Sequence, residues 1–150
     1  MVIITENQLL DAIENYFTKH GFTLISMAKN NEKGIDMELL KNGVTLLIEA
    51  KGSIGNKYDT DPSIKPFSRS LVREYVRKQI TKLMEREEKN GGNNTYFIAA
   101  WPETPLFRNE VNKKAKALAK LGYLHIWLQE NMTVKIEGPG AEKLIELLDE

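Results

Sequence analysis

Two acids and a lysine have the types and spacing to do phosphate chemistry. Asp36 opens one apolar stretch, residues 35–40, and Glu49 and Lys51 close another, residues 44–50, with Asn42-Gly43 between them. An Asn-Gly pair between two such runs is a strong short-range signal for a β-hairpin. In an antiparallel pair the start of one strand faces the end of the other, so Asp36 falls beside residues 49–51. Side chains alternate along a strand, which sends Glu49 and Lys51 to one face and Ala50 to the other. Two converging carboxylates suit Mg2+ or Mn2+, hard cations that take oxygen ligands and keep several waters. The Ala50 carbonyl offers one further oxygen. Such an ion neutralises phosphate charge and acidifies a water, and a neighbouring lysine can orient that water.

The elements that must hold the trio follow from periodicity and punctuation. Thr5 and Gln8 read as a capping box, opening a helix to about residue 20 that Gly21 ends. Its apolar stripe is Leu9, Leu10, Ile13, Tyr16 and Phe17. Residues 22–28 read as a strand, 29–34 as a polar turn, and 35–40 and 44–50 as the hairpin strands. The Val-Leu-Leu-Ile content of the last predicts burial on both faces. Residues 52–67, rich in Gly, Pro, Asp, Ser and Asn, predict a loop. Ser68 caps a helix over about 69–89. A strand over 95–101 stops at Pro102, a helix over 108–121 is closed by Gly122, and strands follow at 123–129 and 131–137. Gly138-Pro139-Gly140 breaks the chain before a last helix, 141–148. The order predicts one α/β domain over residues 1–150, with a mixed central sheet flanked by helices.

Composition narrows the classes. There is no cysteine, so disulfides, thiolate metal sites and a Cys nucleophile are excluded. His20 and His125 are too scattered for a metal site and read as structural. Trp101, Phe107 and Trp127 read as core. No apolar run approaches the ~20 residues of a membrane span, and the first residues lack a signal-peptide pattern. A cytoplasmic protein without a membrane partner is expected. Lys plus Arg equals Asp plus Glu, 21 of each, which argues against a generally basic nucleic-acid binder. The distribution is uneven, however. Six basic residues and one acid lie between Lys65 and Lys82, a local positive face on a neutral chain.

Gly34-Ile35-Asp36, the Asn-Gly hairpin and Ile48-Glu49-Ala50-Lys51-Gly52 together resemble the PD-(D/E)XK motif of restriction-endonuclease-like nucleases, with Ile35 where the motif has Pro. The resemblance covers roughly Thr5 to Trp101 and implies an αβββαβ core. It implies that Asp36 and Glu49 bind Mg2+ or Mn2+ and that Lys51 serves the attacking water. The implied activity is hydrolysis of phosphodiester bonds in DNA, with RNA the lesser expectation, in repair, recombination, phage defence or mobile-element biology. A chain this short holds no separate recognition domain, which favours structure-selective or weakly sequence-specific cutting, as a homodimer or with a partner protein. Two alternatives stay open: a non-catalytic nucleic-acid-binding module, and an interaction domain in which the trio is a buried ion network.

Further residues carry two readings each. Glu6 shares a helix face with Leu10, Ile13 and Phe17. It is either a metal-linked acid, as the resemblance implies for this helix, or a first-turn acid at the helix dipole. Gln79 lies on the apolar stripe of Val72, Val76 and Leu83. It is either an active-site residue or a boundary amide satisfied locally. Arg69, Arg73 and Arg77 repeat every fourth residue, with Lys65 one step earlier if the helix reaches it. They form either a phosphate-binding ridge or a solvated face. Lys57, Tyr58 and Lys65 belong to a loop that either covers the cleft or is a spacer.

Overall fold

The structure, a computed structural model, describes residues 2–28 and 34–150. The capping box is formed: Thr5 Oγ1 accepts from the Gln8 amide at 3.1 Å and Gln8 Oε1 accepts from the Thr5 amide at 2.9 Å. It opens α1 (Glu6–Lys19), whose Leu9, Leu10, Ile13 and Phe17 are buried. Gly21, at φ 88°, turns the chain into β1 (Thr23–Met27). The polar turn expected at 29–34 lies, apart from Gly34, outside the described residues. β2 (Met37–Lys41) and β3 (Val44–Ala50) form the expected hairpin. Asn42 and Gly43 take φ of 51° and 77°, the positive values that a type I′ turn requires.

Asp36 lies just ahead of β2 rather than in it. Its carbonyl still accepts from the Ala28 amide, but its side chain takes over at the other edge, where Oδ2 accepts from the Ala50 amide at 2.8 Å. A loop with one 3-10 turn, Asn56–Asp59, leads to α2 (Arg69–Asn90), capped by Ser68. β4 (Thr95–Pro102) follows. The single helix expected over 108–121 is instead two, α3 (Pro105–Asn112) and α4 (Ala115–Leu121). Thr104 and Pro105 start the first one earlier, and no glycine or proline marks the break between them. β5 (Leu124–Leu128), β6 (Val134–Glu137) and α5 (Ala141–Leu148) complete the chain, β6 being shorter than expected.

The six strands pair in sequence order. β1, β2 and β3 are antiparallel, β4 and β5 run parallel to β3, and β6 is antiparallel to β5. Parallel neighbours need crossovers, and α2 and the α3–α4 pair supply them. The sheet is buried on both faces. Leu46, Ile48, Ile98 and Ala100 pack with α1 and α5, while Leu47, Phe97, Ala99 and Trp101 pack with α2, α3 and α4. Trp101, Phe107 and Trp127 are core residues, as read from the sequence. Among the described residues no helix is long and apolar enough to cross a membrane.

One close approach joins α1 to the end of β3. A Cβ on Gly52 would lie 2.5 Å from both the Glu6 nitrogen and the Ile4 carbonyl oxygen, backbone atoms that cannot step aside cheaply. The next residue ties the strands of chain together: the Ser53 amide donates to the Ile4 carbonyl at 2.8 Å and the Ile4 amide to Ser53 Oγ at 2.9 Å. Gly52→Ala is therefore expected to destabilise the fold by about 1–3 kcal/mol, the usual cost of overpacking. Thermal unfolding followed by circular dichroism checks it, and an unchanged Tm would refute the contact's importance.

Candidate active site

The hairpin brings the trio together at the C-terminal end of β3. Glu49, the penultimate residue of β3, is fully buried and belongs to the face that α2 covers. Asp36 approaches from the start of β2, held by the Ala50 amide. Lys51 leaves the strand on the same side and meets α1 and α2. Its Nζ lies 4.0 Å from Glu6 Oε1, 4.1 Å from the centre of the Tyr75 ring and 5.4 Å from that of Phe67. Glu6 thus looks inward from the first turn of α1, a placement compatible with both of its readings. Glu6, Asp36, Lys51, Tyr75, Gln79 and Lys82 share the walls of one cavity of about 140 Å³.

Gln79 is buried on α2 and bridges the hairpin. Its Nε2 donates to the Ala50 carbonyl at 2.5 Å and to Asp36 Oδ2 at 3.4 Å. The Ala50 carbonyl, expected to face a metal, therefore already has a donor, with one lone pair remaining. Gln79 thus has its amide satisfied by backbone, as one of its two readings had it, while also touching Asp36 as the other requires.

Charge is concentrated where water is scarce. Glu49 Oε1 is 3.5 Å from Arg86 Nε, but Oε2 is buried with no hydrogen-bond partner among the described residues. Burial pushes the Glu49 carboxyl up to about 8, helped by the charge of the neighbouring Asp36. Burial, then Asp36, raises Glu6 as well, and burial lowers the Lys51 ammonium. Each of these groups is held away from its ordinary protonation by desolvation first and by neighbours second.

The basic ridge is placed differently from its expectation. At about 100° per residue, Tyr75, Lys78, Lys82 and Arg86 fall to the same side of Gln79. Arg69, Arg73 and Arg77 fall to the other. Arg73 turns to α3, where its Nε lies 3.6 Å from the buried Glu110. Ser68 caps α2, so Lys65 stays in the loop and does not extend the helix. Arg69 is exposed, away from the site pocket, and Arg77 is exposed at the rim of a groove it shares with Lys78 and Lys82. On α2 the cations beside the carboxylates are thus Lys82 and Arg86, with Lys78 on the cavity wall, which the fourfold spacing of the arginines obscured. Their own spacing, 78, 82 and 86, carried the same signal, and counting from Gln79 finds it.

The histidines are structural in placement. His125 is buried and its Nδ1 accepts from Trp101 Nε1 at 3.2 Å, which requires the neutral ring. Burial lowers its pKa to about 4. His20 is the C-cap residue of α1.

The residues present suit a small hard cation. All donors at the Asp36–Glu49 pair are oxygens, and one buried carboxylate oxygen has no partner. No group of three or more His, Cys, Asp and Glu in metal-binding arrangement occurs among the described residues. Mg2+ commonly takes one or two carboxylates and completes its shell with water and substrate oxygens, so a pair is enough. No protein-family model matches the chain, and no curated protein or solved structure matches it significantly.

The raised Glu49 has a consequence for stability. Its folded pKa lies above the ordinary 4.5, so the stability it confers is complete below 4.5 and is lost as pH climbs toward about 8. Urea unfolding of the metal-free protein across that window should show declining stability, and Glu49→Gln should flatten the decline. An equal decline in the variant would remove Glu49 as its source.

Proposed function

We propose that this chain is a metal-dependent nuclease of the restriction-endonuclease-like kind, hydrolysing phosphodiester bonds in DNA. The observation that carries the proposal is the buried acidic pair: Glu49, with one oxygen unpartnered, behind Asp36, which lines the cavity that Lys51 also enters. A fold gains nothing by stranding a carboxylate in its interior, whereas a divalent cation bound there turns the cost into a binding site. The element order α1-β1-β2-β3-α2-β4 agrees with the αβββαβ core that the motif implies.

Asp36 and Glu49 are the residues that would hold Mg2+ or Mn2+, with Glu6 on the wall of the cavity that Asp36 lines. When bound, the ion supplies positive charge for the phosphate and acidifies a water. Gln79 anchors Asp36, and Arg86 restrains Glu49. Lys51 is steadied by two aromatic rings and Glu6, so its ammonium is poised to orient the attacking water and to offset charge growing on the phosphoryl oxygens. Lys78 and Lys82 offer the backbone a positive wall without reading sequence. Nothing in this arrangement selects a base pair, in keeping with weakly sequence-specific or structure-selective cutting.

Two outcomes test the assignment. Lys51→Ala should lower the cleavage rate by about a hundredfold or more, the scale of a lost acid–base or orienting group, while Mn2+ affinity stays close to wild type; wild-type turnover would sink it. The double variant Lys78→Ala/Lys82→Ala should reduce the slope of log Kd against log salt by about 2, and Arg73→Ala should leave the slope alone because Arg73 faces Glu110. A slope that responds to Arg73 only would return the phosphate wall to the arginine ridge.

A further inference from the structure

The site cavity opens into a larger groove on each side, and the two grooves differ in chemistry. On one side it shares Lys78 and Lys82 with a groove of about 710 Å³ that also has Arg77 and Arg86 on its walls. On the other it shares Glu6, Lys51 and Tyr75 with a second groove of about 710 Å³, whose walls include Phe67, Ile54, Asn56 and Thr60. Phe67 and Tyr75 meet edge to face at 4.8 Å between centroids, and both are half-buried. Cations dominate the first groove. In the second, Phe67, Tyr75 and Ile54 sit among polar groups, with the acids Glu6 and Asp59 offset by Lys51 and Lys57. The turn that carries Asn56 is pinned, since its Oδ1 accepts from the Asn7 amide at 3.0 Å, and the Phe67 amide donates to the Ser53 carbonyl at 2.9 Å.

Resting on the nuclease reading, we infer that this trough takes an unpaired DNA strand, its phosphates along Lys78 and Lys82 and one base seated in the pocket of Phe67 and Tyr75. A duplex presents phosphates and groove edges, and its base faces are already stacked, so the aromatic groove gives it nothing. A single strand, a flap or a frayed end has a free base face, and aromatic contact with one is sequence-tolerant because every base has one. The position also fits. Lys51, which would act at the scissile phosphate, lies 5.4 Å from the Phe67 ring centre. The base next to that phosphate is thus the one within reach. The selectivity is for strand form, not sequence.

The test is fluorescence anisotropy of the wild-type protein in metal-free, low-salt buffer with three probes: a short oligothymidylate, the abasic oligomer of the same length and a blunt duplex. The single strand should bind about tenfold tighter than the abasic oligomer, and tighter than the duplex. Phe67→Leu, checked for folding by its thermal transition, should lose the preference for bases while keeping the salt dependence. Equal binding of base-bearing and abasic strands, or tightest binding of the duplex, overturns the inference. Cleavage assays with Mn2+ separate the two levels of the argument. Lys51-dependent cutting of duplex without base preference leaves the nuclease reading standing and removes this one, whereas absence of binding and cutting with every probe removes both.

Discussion

A carboxylate moved out of water costs several kcal/mol unless it is neutralised or well paired, and Glu49 is buried completely on a central strand. The protein meets that cost only in part. Arg86 approaches one oxygen at the limit of a hydrogen bond, and the raised pKa makes a proton the default occupant of the other. Leu47, two residues earlier on the same face, is the ordinary solution at such a position. The departure from apolar packing is confined to the last residues of β3, where the sheet faces α1 and α2 at once. A cation that satisfied Glu49 and Asp36 together would resolve the frustration, and the proposed function rests on that.

The neighbouring elements are built around this point. Gly52 lets the chain leave β3 in contact with the backbone of residues 4–6, and Ser53 fastens it there. That contact sets Glu6 opposite Lys51 and starts the loop that returns Phe67 beside Tyr75. From the other side Gln79 reaches between Asp36 and the Ala50 carbonyl, on the same face as Val72, Val76 and Leu83, whose packing fixes the rotation of α2 about its axis. Once that rotation is fixed, Tyr75, Lys78, Lys82 and Arg86 must border the cleft, and Arg73 must face α3. The buried face of α2 therefore decides which cations border the cleft.

Much of this was legible in the sequence, and the parts that were not share a cause. The capping box at Thr5, the Asn-Gly turn and the short apolar runs of the strands are local signals, and each fixed an element within a few residues. The convergence of Asp36 with Glu49 and Lys51 followed from hairpin geometry, and the inward aspect of Glu6 and Gln79 from helical spacing. Three things depended on distant partners. The break between α3 and α4 carries no glycine or proline. The ridge of Arg69, Arg73 and Arg77 looked like the substrate-facing one until the buried Glu110 and the rotation of α2 assigned Arg73 elsewhere. The Phe67–Tyr75 pair, joining a loop to a helix, has no signature in either segment alone.

The central claim is that the acidic pair is a divalent-metal site. Isothermal titration of Mn2+ into the wild-type protein and into Asp36→Asn tests it most directly. The account predicts saturable binding by the wild type at micromolar to millimolar Mn2+, with loss or marked weakening in the variant although it remains folded. Absence of binding by the wild type at millimolar Mn2+, or identical titrations of the two proteins, would contradict it and leave Asp36, Glu49 and Lys51 as a buried ion network with a structural role.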